Sequence, residues 1–555
     1  MEVGVRPLPI DVATFDHALD ELRANAASWA RLGFAGKIRH LRAMRARTIE
    51  VADEWVALAA HAKGIAGTPL AGEEWFSGPY AVLVAIDRLI ATLAALATGH
   101  DPYPAAAVRT RAGGQVVVDV FPAERSDRIL LSGVRAEVWM DPSVTAQTLG
   151  ENTASFYRES APPGGVTLVL GAGNIASIPP LDVLTALYAH GHVALLKLNP
   201  VNDYLLPVFE RLFSSLIDER FVFVTTGGAA VGAYACGHRA VDAIHLTGGE
   251  RTHDAIVFGG GDEGRARKAV GDPIVTKPVT SELGNVTPVI VVPGPWSEPD
   301  FAFQAAHVAT MKLHNAGANC IAAQVLVTPQ GWEGTARFVG AVEHALRSAP
   351  ERPSYYPGSA AERRFAAGLD ENADEPLFRD EAFGPVLAQT SIAGDDAGAF
   401  LRNAVAFCND RLRGTLGVSV LVHPRTIAAL GPAFEEAVAA LRYGCVAINT
   451  WPGVGFLLPA ASWGAYPGNT LAAVGSGIGI VHNAYLFDRP QKTVVRAPFA
   501  PFPRSFGDGE NTLLPTPPWF VTHRRADAVG RAMFAFTAKP SPARMLATAV
   551  AAMRH

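Results

Sequence analysis

Charge is scarce in this chain. Of its 555 residues only 18% are Asp, Glu, Lys or Arg, where an average globular protein has about a quarter. The net charge of −5 is small for that length, so the sequence offers no basic footprint for nucleic acid, and no such partner is expected. Cysteine is nearly absent too: Cys236, Cys320, Cys408 and Cys445 lie far apart, with no CxxC pair. That spacing argues against a zinc site or a disulfide framework and for a reducing, cytoplasmic setting. The first residues lack a basic stretch followed by an apolar one, so no secretory leader is expected. The longest apolar run, "AVLVAIDRLIATLAALATG", is interrupted by Asp87 and Arg88, and no integral membrane span is expected.

What the chain has instead is apolar residues, 49% of the total, at a length that calls for two or three domains. Residues 14–98 repeat apolar positions at i, i+3, i+4 and i+7, which predicts helices. Around 115–145 the period changes to two in "GQVVVDVF" and "RILLSGVRAEVWM", a β-ribbon. From 165 to 290 the runs "VTLVLG", "HVALLKL", "FVFVTTG", "AVDAIHLTG" and "VTPVIVV" alternate with helical stretches, as in a parallel, doubly wound sheet. A second alternating region follows, from about 301 to 450. Beyond 501 come proline-rich loops and a final helix or two.

Three stretches can carry chemistry. "GAGNIA" (171–176) follows a strand and precedes a helix, the setting of a dinucleotide-binding turn, although the next strand ends at Lys197 and not at an acidic residue. "GGGDEG" (259–264) has the same glycine spacing but follows a helix, and is read as a flexible loop. Glu282, in "TSELGNVTPVIVV", stands just before a glycine turn and a buried strand, a place that suits a general base or an ordinary capping carboxylate. Cys320, in "HNAGANCIAAQVLV", is either a small buried side chain or a nucleophile at the head of a strand. If it is an activated nucleophile, a thiolate-selective reagent labels it ahead of the other three cysteines.

Taken in order, these stretches resemble the aldehyde dehydrogenase superfamily over roughly residues 15 to 500. The matches are Asn174 in "GAGNIASIPP", Lys197 in "LLKLNP", Gly248 and Gly249 in "HLTGGE", Glu282 in "SELGN", Cys320 in "NAGANCIA", and Glu381 and Phe383 in "DEAFGPV". The resemblance implies an α/β fold: a Rossmann-like NAD(P)-binding domain (1–283, with the β-ribbon inserted), a catalytic domain (284–483), an oligomerisation strand (484–500) that adds to a partner's sheet, and a C-terminal extension (501–555). It implies a homodimer or homotetramer. It also implies that Cys320 attacks an aldehyde, that Asn174 and the Cys320 N–H hold the oxyanion, and that Glu282 activates the water that hydrolyses the thioester. Lys197, Gly248, Gly249, Glu381 and Phe383 would hold NAD or NADP.

The departures matter as much. Pro200 replaces the family's ribose-binding glutamate, which leaves NAD and NADP both open; Gly249 replaces a serine, and Asn285 a glycine. "GAGN" is similar to the turn of acyl-CoA reductases, so a CoA-acylating enzyme is the alternative, with a non-catalytic scaffold of the same fold as a third reading. The loop "NTWPGVGFLLPAASWGAYPG", with Trp451, Phe456, Trp463 and Tyr466, is expected to line an apolar tunnel together with "WFSGPY" and "APPGG", which points to an apolar or aromatic aldehyde. The extension covers the protein's own surface, the substrate entrance, an oligomer interface or a membrane surface.

Overall fold

The computed structural model describes residues 10–359 and 362–553. Two sheets organise the chain. The first runs in the order Gly477–Ile478, Val279–Leu283, Ala243–Gly248, Val166–Leu170, Val193–Lys197, Val222–Thr225. All its pairings are parallel except the short first one. Its strands are buried nearly throughout, which is why they read as continuous Val/Leu/Ile runs. From Val166–Leu170 the chain steps outward through two strands on one side, then returns to add Ala243–Gly248 on the other. Such a reversal opens a crevice beyond the carboxyl ends of the two central strands, and the turn after Leu170 lies there.

The second sheet has ten strands. A three-stranded antiparallel ribbon, Val108–Thr110, Val116–Phe121 and Arg135–Met140, continues through Pro490–Arg496 into Cys445–Ile448, Gly417–Leu421, Thr287–Val291, Ala323–Pro329, Val386–Ile392 and Arg364–Leu369, these last six parallel. Pro490–Arg496 pairs on both edges within its own chain, with Cys445–Ile448 and Arg135–Met140. Its edges are therefore not left free to add to a partner's sheet.

Helices Val12–Ala30, Phe34–Ala62 and Ala81–Ala97 pack against the first sheet, burying Trp29, Leu41, Met44, Trp55, Val82 and Ile86. Each such large apolar side chain contributes about 1.5–3 kcal/mol. The segment Pro69–Ala97 is long and apolar enough to cross a membrane. Here one face of it is buried in this core, and Asp87 pairs with Arg45 at 2.6 Å.

Two local expectations change, and two others gain detail. Residues 127–130 form a helical turn, not strand. "GGGDEG" is no loop: Gly261 opens the helix Gly261–Val270, with Asp262 and Glu263 in its first turn and Arg267 and Lys268 in its last, which suits the helix dipole. Glu282 precedes the buried strand Thr287–Val291 across the turn at Gly284, as expected, but it also lies inside a strand of its own, Val279–Leu283, a run too short and polar to announce itself. The C-terminal extension forms two helices, Ala526–Ala538 and Pro542–Met553, and the first covers the turn at Gly72–Trp75. A Cβ at Gly72 would collide with the Ala526 backbone, and Phe534 packs on the Trp75 ring at 5.4 Å.

Candidate active site

The helix Glu298–Leu313 aims the chain at the site. It opens with a capping box between Ser297 and Asp300 and ends where His314 leaves helical geometry. Asn315, Ala316 and Gly317 then follow with φ of 56°, 57° and 76°. Two of these left-handed residues carry a Cβ, an arrangement that persists only when its surroundings enforce it. They do. Asn315 N–H donates to Glu73 Oε2 (2.7 Å), and Asn315 Nδ2 donates to the carbonyls of Ala318 (2.8 Å) and Asn174 (3.0 Å). Tyr355 Oη bonds both Asn174 O and Asn315 Oδ1 at 3.0 Å. At Gly317 a side chain would strike Gly384, so glycine alone lets this turn pass the Glu381–Pro385 segment.

The same bonds gather the candidate residues. Asn174 Nδ2 donates to Ala318 O (3.2 Å), two residues before Cys320. Lys63 Nζ bridges Glu74 (2.8 Å) and Asn174 O (3.1 Å), so that carbonyl accepts from Lys63 and Asn315 Nδ2 and shares the single Tyr355 hydroxyl proton with Asn315 Oδ1. Behind it Arg352 closes on Glu73 with two contacts, at 2.5 and 3.2 Å. Burial pushes the Glu73 carboxyl up, but Arg352 and the other cations and donors around it outweigh this and hold it below its ordinary value.

Cys320 and Glu282 stand side by side, each shifting the other. Glu282 is buried and accepts from Trp463 Nε1 at 3.3 Å; burial raises its carboxyl to about 7. Burial, and then the neighbouring charge of Glu282, push the Cys320 thiol well above its usual range. Burial and that carboxylate both favour the thiol form of Cys320 over the thiolate. Cys236 is raised as well, to about 11, and Cys445 to about 12, both by burial.

Glu381 also comes to this place. Its carboxylate packs over Gly284 and accepts from Asn285 N–H at 3.4 Å. Burial lifts it to about 8, and burial lowers the neighbouring Lys312 amine to about 7. Phe383 stacks edge-on against Tyr356 at 4.8 Å. Lys197, Gly248 and Gly249 sit at the carboxyl ends of the first sheet's strands. Gly249 opens the helix Glu250–Val257 with no side-chain cap and open space around it, a free helix N-terminus of the kind that binds phosphate. Lys197 Nζ has a depressed pKa from burial and makes no hydrogen bond among the described residues.

An apolar cavity reaches Cys320, lined by Phe76, Ile178, Trp451, Phe456, Trp463 and Trp519 among others. Three of the four expected loop aromatics are there, and Phe76 and Ser77 come from "WFSGPY". Tyr466 is not; its ring lies under Lys492 Nζ at 5.2 Å. "APPGG" is absent from the lining too, with Gly164 seated against the Ala26 backbone. No motif singles out Lys63, Glu73, Glu74, Lys312, Arg352 or Tyr355, which come from stretches far apart in the chain. Nor does any motif place Trp519 of the extension in the cavity.

A model of the aldehyde dehydrogenase family matches residues 136–355. A coniferyl aldehyde dehydrogenase of Pseudomonas sp. is 29% identical over 226 residues, 39% of this chain and 42% of that protein. An N-succinylglutamate 5-semialdehyde dehydrogenase of Caulobacter vibrioides is 26% identical over 388 residues, 61% of this chain and 73% of that one. The match thus spans under half of the first relative's length. Among solved structures, an NAD-dependent aldehyde dehydrogenase from Sinorhizobium meliloti superposes with a TM-score of 0.56 at 16% identity, covering 86% of each chain. An indole-3-acetaldehyde dehydrogenase bound to NAD+ gives 0.57 at 16% identity, covering 88% of this chain and 89% of that one. The two-sheet fold is thus that of the superposed aldehyde dehydrogenases, and residues 136–355, which include Asn174, Glu282 and Cys320, match the aldehyde dehydrogenase family.

Proposed function

We propose that the chain oxidises an apolar or aromatic aldehyde to its carboxylic acid, with NAD+ or NADP+ as the oxidant. The observation that carries this reading is Glu282: a buried carboxyl with a pKa of about 7, tied by Trp463 and set beside Cys320 at an aromatic cavity. Such a group can take the thiol proton as the sulfur attacks the carbonyl, and later take a proton from water. Asn174, fixed by its own backbone bonds, has an amide N–H to offer the oxyanion beside the Cys320 N–H, a contribution of about 3 kcal/mol.

The candidate cofactor residues fit a nicotinamide dinucleotide. Gly249 and its helix N-terminus suit the pyrophosphate, Lys197 the adenosine ribose, and Glu381 the second ribose, whose hydroxyl would complete its sparse hydrogen bonding. When bound, the nicotinamide supplies the hydride acceptor that turns the thiohemiacetal on Cys320 into a thioester. Pro200, without a carboxylate, favours neither cofactor. The relative named for coniferyl aldehyde suits an aromatic substrate.

A CoA-acylating reaction is the rival, and Glu282 beside the thiol weighs against it. The test is nicotinamide reduction over short, long and aromatic aldehydes, with each cofactor, with and without CoA. Turnover without CoA is expected, lost in Cys320→Ala. In Glu282→Gln it should fall by about 10²–10⁴ with an acyl adduct visible by intact mass. Turnover that requires CoA moves the chain to the acylating branch.

A further inference from the structure

The cavity at Cys320 is apolar, but it is not without polar atoms, and most of them are accounted for. Ser77 Oγ donates to Glu73 O (2.6 Å), Asn319 Oδ1 accepts from Ile321 N–H (3.4 Å), and the indoles of Trp451 and Trp463 donate to Ile321 O (3.1 Å) and Glu282 (3.3 Å). Two fully buried atoms of the lining, His314 Nδ1 and Trp519 Nε1, have no hydrogen-bond partner among the described residues. His314 is only 6% exposed, its ring against Trp451 at 5.0 Å. Trp519 borders two further hollows, and its N–H is unpaired there as well. Buried polar groups are normally satisfied, so an unmatched pair in one reactive cavity calls for a partner that arrives with the ligand.

The chemistry of the pair defines that partner. An indole N–H only donates. Burial keeps His314 neutral, so its ring has one donor and one acceptor nitrogen. An ether or carbonyl oxygen can answer the indole but gives nothing to an acceptor. A hydroxyl answers both, accepting from Trp519 and either donating to His314 Nδ1 or accepting from it.

We infer that this cavity selects aldehydes that carry a hydroxyl, phenolic or alcoholic, away from the carbonyl, and that Trp519 of the C-terminal extension is the specificity-determining residue. The inference rests on the proposed aldehyde oxidation and names its substrate class. It also gives the extension a role: Trp519 lines the cavity, and the next two residues are anchored, Phe520 stacked on His307 at 4.9 Å and Val521 N–H donating to Thr310 Oγ1 at 3.0 Å.

The test uses the full chain with benzaldehyde, its 3- and 4-hydroxy derivatives and 4-methoxybenzaldehyde. For at least one hydroxylated substrate, kcat/KM should exceed that for benzaldehyde by about 10- to 100-fold, with the methoxy compound between or below. In Trp519→Phe, which keeps a ring and removes the donor, the ratio should fall towards one; His314→Phe should lower it as well. An unchanged ratio in both variants, or no hydroxyl preference in the wild type, overturns the inference. Calorimetric binding of 4-hydroxybenzyl alcohol against benzyl alcohol separates it from the parent reading, because no turnover is needed. A chain that oxidises no aldehyde yet binds the hydroxylated alcohol more tightly refutes the reaction and keeps the pocket. Oxidation of benzaldehyde and its hydroxy derivatives at equal rates keeps the reaction and refutes the selection.

Discussion

Two clusters of buried charge flank the cysteine turn, and they behave in opposite ways. On one side Lys63, Glu73, Glu74 and Arg352 are all under 10% exposed and almost fully partnered; Glu74 Oε2 is their one unmatched oxygen. There Glu73 stays below its ordinary carboxylate value in spite of burial. On the other side Glu282 is buried and Glu381 half-buried, neither has an ion-pair partner among the described residues, and burial lifts them to about 7 and 8. Burial is common to both clusters, so the pairing makes the difference. A paired buried charge braces structure, while an underpaired one is a group ready to exchange a proton. The paired cluster holds the strained turn, and the underpaired one faces the thiol.

The largest effect should come from breaking the paired side. Arg352→Met leaves Glu73 buried without its cation and should cost about 3–5 kcal/mol in denaturant unfolding. Adding Glu73→Gln should return much of that loss. A single variant as stable as the parent would show that Arg352 carries no structural charge.

A smaller effect tests the underpaired side. Glu381 keeps its proton to about pH 8, where an unfolded glutamate releases it near 4.5. The native chain thus binds more protons in that window, so this group's contribution to stability falls as pH rises from about 4.5 to 8. Lys312 acts oppositely above about pH 7, where the folded amine has lost its proton and the unfolded one has not. Glu381→Gln should flatten the fall, and its melting temperature should gain a few degrees on the parent at pH 8–9 relative to pH 5. Parallel pH curves would contradict the raised carboxyl.

The smallest change is Trp463→Phe. Losing that indole N–H removes a donor to the Glu282 carboxylate, so its pKa rises further. The ascending limb of kcat, expected near pH 7, should move up by about half a unit. A limb that stays in place would assign the rate-controlling proton to another group.

What could be read in advance was local. The strands of the first sheet are buried on both faces and show as unbroken β-branched runs; Asn174 and Cys320 sit at turns, and Glu282 just before one, whose residue types suit reaction chemistry. Less was legible wherever the deciding partner was distant. Glu282 lies within a strand defined by its neighbours Ala243–Gly248 and Gly477–Ile478, not by its own sequence. Tyr466 has the composition of a cavity residue and packs under a lysine. Arg352 and Tyr355 come from a stretch with no pattern at all.

The sequence by itself determined the order of chemical groups and the alternating architecture, because hydrophobic period and turn composition act over a few residues. Tertiary structure alone decided the protonation states and the cavity. Whether Glu73 is held charged while Glu282 and Glu381 keep their protons towards neutral pH depends on which cations and donors converge from elements hundreds of residues apart. The last wall of the cavity is likewise an indole from the C-terminal extension, whose neighbours Phe520 and Val521 are anchored on His307 and Thr310 some two hundred residues away in sequence.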